Sequence, residues 1–384
     1  MMEPRFSLPD STPRSSKTSL VIGGVKIYIY GLLELTHQSD IEIGVLYLAH
    51  MRTRTYLVTE AIAHEILHQY RTSSRLKKYE MIAVTMDMRN HGARIVSLSR
   101  PLPSSLLKFE GGKKKAVSSI IVTDDPTCFQ VSKEANLTWL DGNENHALDL
   151  LSTITASSQD FTLILQYLPS YLPQFRQFHN ILLGISLGGH TAYRLASCLP
   201  PNLSIAGYAI VVGCPTLAPL LLSRLGIDVG GGAGGDYETL HQSMSEVQKR
   251  RWPRALSQAV WEGDRAVFER FPRDVPLIVC SGQEDPLVPP GYTERWLERR
   301  REVEGEGKGN REEMTRVWVQ GNTGHSCTKE MVGLIAGWIA EVFGAERGEA
   351  DVSGGGGNGS SSKKAEEEAE GGIGMVVGRS EARL

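Results

Sequence analysis

The apolar residues of this chain fall into short, nearly unbroken runs of strand length, separated by longer stretches of mixed polarity. Runs of that kind belong to strands buried on both faces rather than to strands with one wet side. Ile43 to Ala49, Met81 to Met86, Phe178 to Ile185, Ile205 to Gly213, Val275 to Cys280 and Arg316 to Gln320 read as such strands. Thr191 to Cys198 reads as a small-residue helix that ends before Pro200-Pro201, and Met331 to Phe343 as an apolar helix. The length of the chain suits one decorated α/β domain better than two independent ones.

The richest junction is Gly184-Ile185-Ser186-Leu187-Gly188-Gly189-His190, which follows the run Ile181-Leu182-Leu183 directly. A G-x-S-x-G pattern arises easily by chance, and here its position between a strand and a helix decides its meaning. A turn that tight tolerates only small neighbours, lifts the Ser186 hydroxyl clear of the sheet edge, and frees the Leu187 N–H to meet an oxyanion.

An activated serine needs a base, and the base needs an orienting carboxylate. Val275 to Ser281 runs into Gly282-Gln283-Glu284-Asp285-Pro286, which presents a carboxylate just beyond a strand's C-terminal end, where open parallel sheets keep ligand-facing groups. Asp285 is the candidate, in preference to its neighbour Glu284. The loop Gly321-Asn322-Thr323-Gly324-His325-Ser326 after the last strand supplies the base, His325. His37, His64, His68, His179 and His241 have no partner in the pattern. His190 and His146 read as helix residues or residues behind the site.

Two further strand ends complete the expected site. Ile43 to Ala49 leads into His50, and the loop Met51-Arg52-Thr53-Arg54 is placed to donate a second oxyanion N–H from Met51 or Arg52. Met81 to Met86 leads into Asp87-Met88-Arg89-Asn90-His91-Gly92, where His91 is expected to be a structural hydrogen-bonding residue and Asp87 to pair with Arg89 beneath the loop.

His50, the Asp87-x-Arg89-Asn90-His91-Gly92 turn, Gly184-x-Ser186-x-Gly188-Gly189, Gly282-x-x-Asp285-x-x-Val288-Pro289 and Gly324-His325 occur in the order found in the α/β-hydrolase superfamily, which the chain resembles over about residues 20 to 345. Within it the Arg-Asn-His-Gly turn and the Ser-Leu-Gly-Gly-His elbow look more like dienelactone-hydrolase and prolyl-oligopeptidase-like serine esterases than like lipases. The resemblance implies a mainly parallel eight-stranded sheet flanked by helices with a helical cap insertion, an acyl-enzyme mechanism and no cofactor or metal. It also implies roles: Ser186 attacks, His325 moves protons, Asp285 orients His325, and Leu187 with Arg52 or Met51 binds the oxyanion. The superfamily usually has glycine where Met51 stands, so this side chain is expected to narrow the acyl pocket or alter the oxyanion loop. Acyl transfer and C–C hydrolysis use the same triad, and a ligand-binding scaffold without catalysis is a further alternative.

Composition narrows this picture slightly. The chain of 384 residues, 41% hydrophobic and 22% charged, can bury a substantial core. Its formal net charge of -3 gives no electrostatic case for nucleic acid. No apolar run is long enough to span a membrane, and the polar, proline-bearing stretch 1–18 is expected to be a flexible segment without a secretory signal core. A small-molecule acyl compound is the expected partner, and no pattern fixes an oligomeric state. Cys198, Cys214 and Cys280, in or beside apolar stretches, are expected to be buried reduced thiols, as suits a cytoplasmic chain.

Residues 97–134 have no clear period and read as an insertion or loop. Residues 216–272 occupy the usual position of a cap; Trp252, Trp261 and Phe268 face the acyl pocket or form the cap's own core, and Trp139 and His146 are further candidates for the cleft. The glycine-, serine- and glutamate-rich stretch 346–384 is expected to be a disordered tail. It ends Ala382-Arg383-Leu384, similar to a peroxisomal address, which makes peroxisomal import the alternative to a cytoplasmic location.

Overall fold

A computed structural model of the chain describes residues 5–94, 135–228, 237–304 and 314–344. The expected insertion at 97–134, the glycine run 230–235, Cys128 and the tail with its Ala382-Arg383-Leu384 end lie outside the described residues.

Eight strands form one sheet: β1 (Lys17–Ile22), β2 (Val25–Tyr30), β3 (Ile41–Ala49), β4 (Glu80–Met86), β5 (Phe175–Ile185), β6 (Gly207–Val211), β7 (Leu277–Gly282) and β8 (Thr315–Gln320). Their order is β1-β2-β4-β3-β5-β6-β7-β8. β1 and β2 are antiparallel, as are β2 and β4, and every later pairing is parallel. This is the α/β-hydrolase arrangement. The β1–β2 hairpin goes beyond the strands read from sequence; its turn is Gly23-Gly24, both at positive φ, as a two-residue hairpin turn requires.

The helices are α1 (Tyr56–Thr72), α2 (His146–Tyr171), α3 (Leu187–Cys198), α4 (Leu217–Arg224), α5 (Tyr237–Ser243), α6 (Glu246–Arg251), α7 (Arg254–Arg270), α8 (Gly291–Glu304) and α9 (Lys329–Val342). Successive strand side chains point to opposite faces, so the continuous apolar runs feed two cores. Leu46, Leu48, Leu183 and Ile185 join Ile66 of α1 and Ile335 of α9 on one side. Val45, Tyr47, Leu182 and Ile210 join Phe161 of α2, Tyr193 of α3 and Val260 of α7 on the other.

Three expectations change. The stretch 1–18 is not loose where it is described: Phe6 N–H donates to the Cys327 carbonyl, Ser15 N–H to His64 Nδ1, and the Thr12 hydroxyl to Glu65, with Thr12 and Ser15 buried. Within the expected cap region, α7 packs against α3 and α4 and so belongs to the helical layer on the sheet. Cys214 and Cys280 are buried free thiols as expected, but Cys198, at the end of α3, is exposed. Among the described residues no helix is long and apolar enough to cross a membrane.

Candidate active site

Ser186 stands between the end of β5 and the start of α3 with φ 54° and ψ −110°, a backbone state rarely open to a side-chain-bearing residue. Close packing enforces it. A Cβ on Gly184 would lie 2.2 Å from the Gly188 carbonyl oxygen, and one on Gly188 would lie 2.1 Å from that of Ala49 in β3. The Ser186 N–H donates to Val211 of β6 at 2.8 Å, which fixes the turn to the sheet. Leu187 is the first residue of α3, so its N–H has no carbonyl one turn back to meet.

The turns after β7 and β8 touch: a Cβ on Gly282 would fall 2.2 Å from the Gly324 carbonyl oxygen. That approach brings His325 across to both partners. Its Nε2 is 2.7 Å from Ser186 Oγ, and its Nδ1 is 2.7 Å from Asp285 Oδ2. The other carboxylate oxygen, Oδ1, accepts from the N–H groups of Leu287 and Val288 at 2.8 and 2.9 Å. The Asp285 side chain is fully shielded from solvent, while that of His325 keeps 19% of its surface open. Glu284 is exposed, and its N–H is taken by Thr323, so it has no part in this contact.

Behind the serine, two histidines hold the loop after β3. His50 Nδ1 donates to the Met51 carbonyl at 2.8 Å, and its Nε2 accepts from Met88 N–H at 2.9 Å. His91 Nδ1 donates to the Arg89 carbonyl at 2.7 Å, and its Nε2 accepts from Thr53 N–H at 3.1 Å. The rings meet edge to face at 5.1 Å. The left-handed residue in this loop is Thr53 (φ 64°), not Met51, so the backbone does not demand glycine at position 51. The expected Asp87–Arg89 pair does not form. Asp87 instead accepts from Tyr56 N–H, at the start of α1, and from Ala93 N–H, both at 2.9 Å. Arg89 turns to Asp160 of α2, which also binds Arg94. Two backbone donors in reach outcompete one half-exposed arginine for a buried carboxylate.

Both bracing histidines must stay neutral to accept with Nε2. Burial pushes His50 down to about 4, and burial together with the neighbouring His50 pushes His91 down to about 3. In the unfolded chain they titrate near 6.5. Below that value the unfolded state binds more protons than the folded one, so stability that is complete above pH 6.5 is lost as the pH falls toward 4. Each ring is expected to cost about 2 kcal/mol between pH 6.5 and 5. Urea unfolding at pH 7 and pH 5 reads this slope; His91→Gln should remove one ring's share, and a slope unaltered in that variant would refute the assignment.

Ser186 and His325 open on a cavity of about 130 Å³. Met51, Arg52 and Leu187, the expected oxyanion donors, line it. Trp139, His146, Trp252 and Trp261 do not. Trp252 is completely buried in the core shared by α2, α3 and α7, with Trp261 packed against it. Trp139 is likewise buried there, its ring 5.1 Å from that of His146. A large aromatic beside an amphipathic helix gains more from the core than from a small polar cleft. His190, expected behind the site, reaches it: it lines the cavity while its Nδ1 meets the Cys214 carbonyl at 2.9 Å, and burial pushes it down to about 4. Arg54, in the loop after β3, lines the cavity too, as do Arg5, Arg224 and Leu150, which had no motif to mark them. Among the described residues no three His, Cys, Asp or Glu side chains converge as a metal site requires.

No family model matches the sequence, and comparison with curated proteins finds no match. Solved structures do resemble the chain. TT1662 from Thermus thermophilus is 15% identical with a TM-score of 0.49, over 87% of this chain and 100% of that one. An acylaminoacyl peptidase of Pyrococcus horikoshii is 10% identical with a TM-score of 0.47, over 88% of this chain and 43% of that one. An esterase of Pyrococcus furiosus is 14% identical with a TM-score of 0.43, over 90% of this chain and 98% of that one. At such identities the likeness reaches no further than the fold.

Proposed function

We propose that this chain is a serine hydrolase that cleaves an ester, thioester or lactone of a small to medium acyl compound. The observation that carries the reading is the continuous contact from Ser186 Oγ through the His325 ring to the buried Asp285 carboxylate, at 2.7 and 2.7 Å, with the serine on a strained elbow. The Nδ1–H donates a hydrogen bond to Asp285, which keeps the proton on Nδ1 and leaves Nε2 unprotonated and facing the hydroxyl. As Oγ bonds to the carbonyl carbon, its proton passes to Nε2 and the carbonyl electrons move to oxygen. The Leu187 N–H, with that of Met51 or Arg52, meets the resulting oxyanion. Collapse expels the alcohol or thiol, which takes the proton from His325. Water then repeats the sequence on the acyl-enzyme and releases the acid. The small cavity favours a short acyl group next to the serine.

A fluorophosphonate probe tests this directly. Labelling is expected on the Ser186 peptide, and is expected to be lost in Ser186→Ala and in His325→Ala. A folded wild-type protein that takes no label and turns over no activated ester would move the chain to the class of non-catalytic ligand-binding scaffolds.

A further inference from the structure

Four arginines, Arg5, Arg52, Arg54 and Arg224, line the cavity that holds Ser186 and His325, and among the described residues no aspartate or glutamate does. That imbalance is unusual in a chain whose net charge is slightly negative. Arg52 and Arg224 are the informative pair. Arg52 Nη1 donates to the Asn136 carbonyl at 2.9 Å, and Arg224 Nη2 to the Leu287 carbonyl at 2.7 Å. Among the described residues neither forms an ion pair with a carboxylate. A guanidinium has five N–H donors, and one neutral carbonyl leaves its charge uncompensated.

The carboxylates that act on them are already committed. Asp141, which attracts Arg52, accepts from the N–H and hydroxyl of Thr138 at 3.0 and 2.7 Å. Asp285, which attracts Arg224, holds His325 and two backbone N–H groups. Burial and the neighbouring charge of Arg224 push Arg52 down to about 10. Arg52 is half-buried and Arg224 is exposed, and both line the cavity. Two like charges gathered in a cavity this small cost stability unless something enters to offset them.

We propose that the acyl compound carries an anionic group, a carboxylate or a phosphate, and that Arg52 and Arg224 bind it beside the scissile carbonyl. This assignment of substrate class rests on the hydrolase reading of Ser186. Arg224 also holds the Leu287 carbonyl in the turn that supports Asp285, a bracing role that would affect every ester alike; charge selectivity separates the two roles.

The test compares 4-nitrophenyl hydrogen glutarate with its neutral isostere 4-nitrophenyl 5-methylhexanoate, with spontaneous hydrolysis subtracted. Wild type is expected to favour the charged ester in kcat/KM by about tenfold or more, the usual scale for a hydrogen bond to a charged group. Added salt should shrink the preference. Arg52→Gln and Arg224→Gln should each cut the ratio several-fold, whereas Arg176→Gln, on β5 at the opposite end of the sheet, should preserve it. In parallel, calorimetry with Ser186→Ala protein should detect glutarate or inorganic phosphate, and whichever binds names the anion; Arg224→Gln in that background should abolish the signal. Turnover of both esters without preference, with neither anion bound, would overturn the anion site and leave the hydrolase standing. Anion binding by Ser186→Ala protein whose parent hydrolyses neither ester would do the reverse.

Discussion

Asp285→Asn is expected to lower kcat/KM for an activated neutral ester by about 10⁴-fold while the protein stays folded. The hydrogen bonds around the carboxylate dictate the size of the effect. Oδ1 already accepts two backbone N–H groups, from Leu287 and Val288, so an asparagine must place its carbonyl oxygen there. Its amide nitrogen is then left facing His325 Nδ1, 2.7 Å away. An amide N–H cannot accept, so Nδ1 becomes the acceptor and the ring proton moves to Nε2. With that nitrogen protonated, the imidazole cannot take the proton of Ser186. Steady-state kinetics beside a thermal melt decide the matter: activity within tenfold of wild type would show that Asp285 does not set the tautomer. Fluorophosphonate labelling should slow in step.

Asp264→Ala is expected to cost about 3–5 kcal/mol of stability, the usual consequence of removing one partner of a buried ion pair. Asp264 of α7 is 5% exposed and faces Arg194 of α3 at 3.1 Å. It also accepts from the N–H groups of Leu217 and Ala218, the first two residues of α4, at 2.9 and 2.8 Å. One carboxylate therefore ties three helices together. Alanine would leave the mostly buried Arg194 guanidinium with only the Val260 carbonyl and would uncap α4, the helix that ends in Arg224. Denaturant unfolding measures the loss, and Asp264→Asn, which keeps an acceptor for α4, should lose less. A loss below about 1 kcal/mol in the alanine variant would place the pair among weakly coupled surface bridges.

Much of this molecule was legible because parallel strands announce themselves. The runs through Leu46, Val84 and Leu183 are buried on both faces, and glycine at 184, 188 and 282 marks places where backbones touch. The order of serine, acid and histidine follows from those strand ends. What escaped were features set by competition between neighbours. Asp87 had Arg89 two residues away in sequence, yet backbone donors of α1 and the Gly92 turn claimed it. The aromatics of 216–272 carried no label to separate lid from core, and packing against α3 made them core. The loop after β3 marks Arg52 only through its N–H, and nothing in the sequence marks Arg224, since a basic residue at a helix C-terminus is ordinary there. Only the tertiary arrangement reveals that both look into one cavity.

The base of the site hangs from β8, an edge strand of the sheet, which among the described residues pairs only with β7. Edge strands open before central ones, because fewer hydrogen bonds and less packing hold them. The serine, on central β5, would outlast its own activation. Warming should thus produce a molecule whose circular dichroism is nearly native and whose turnover is gone, and cooling should restore both. In such a protein the rate of ester cleavage serves as a gauge of one strand's attachment.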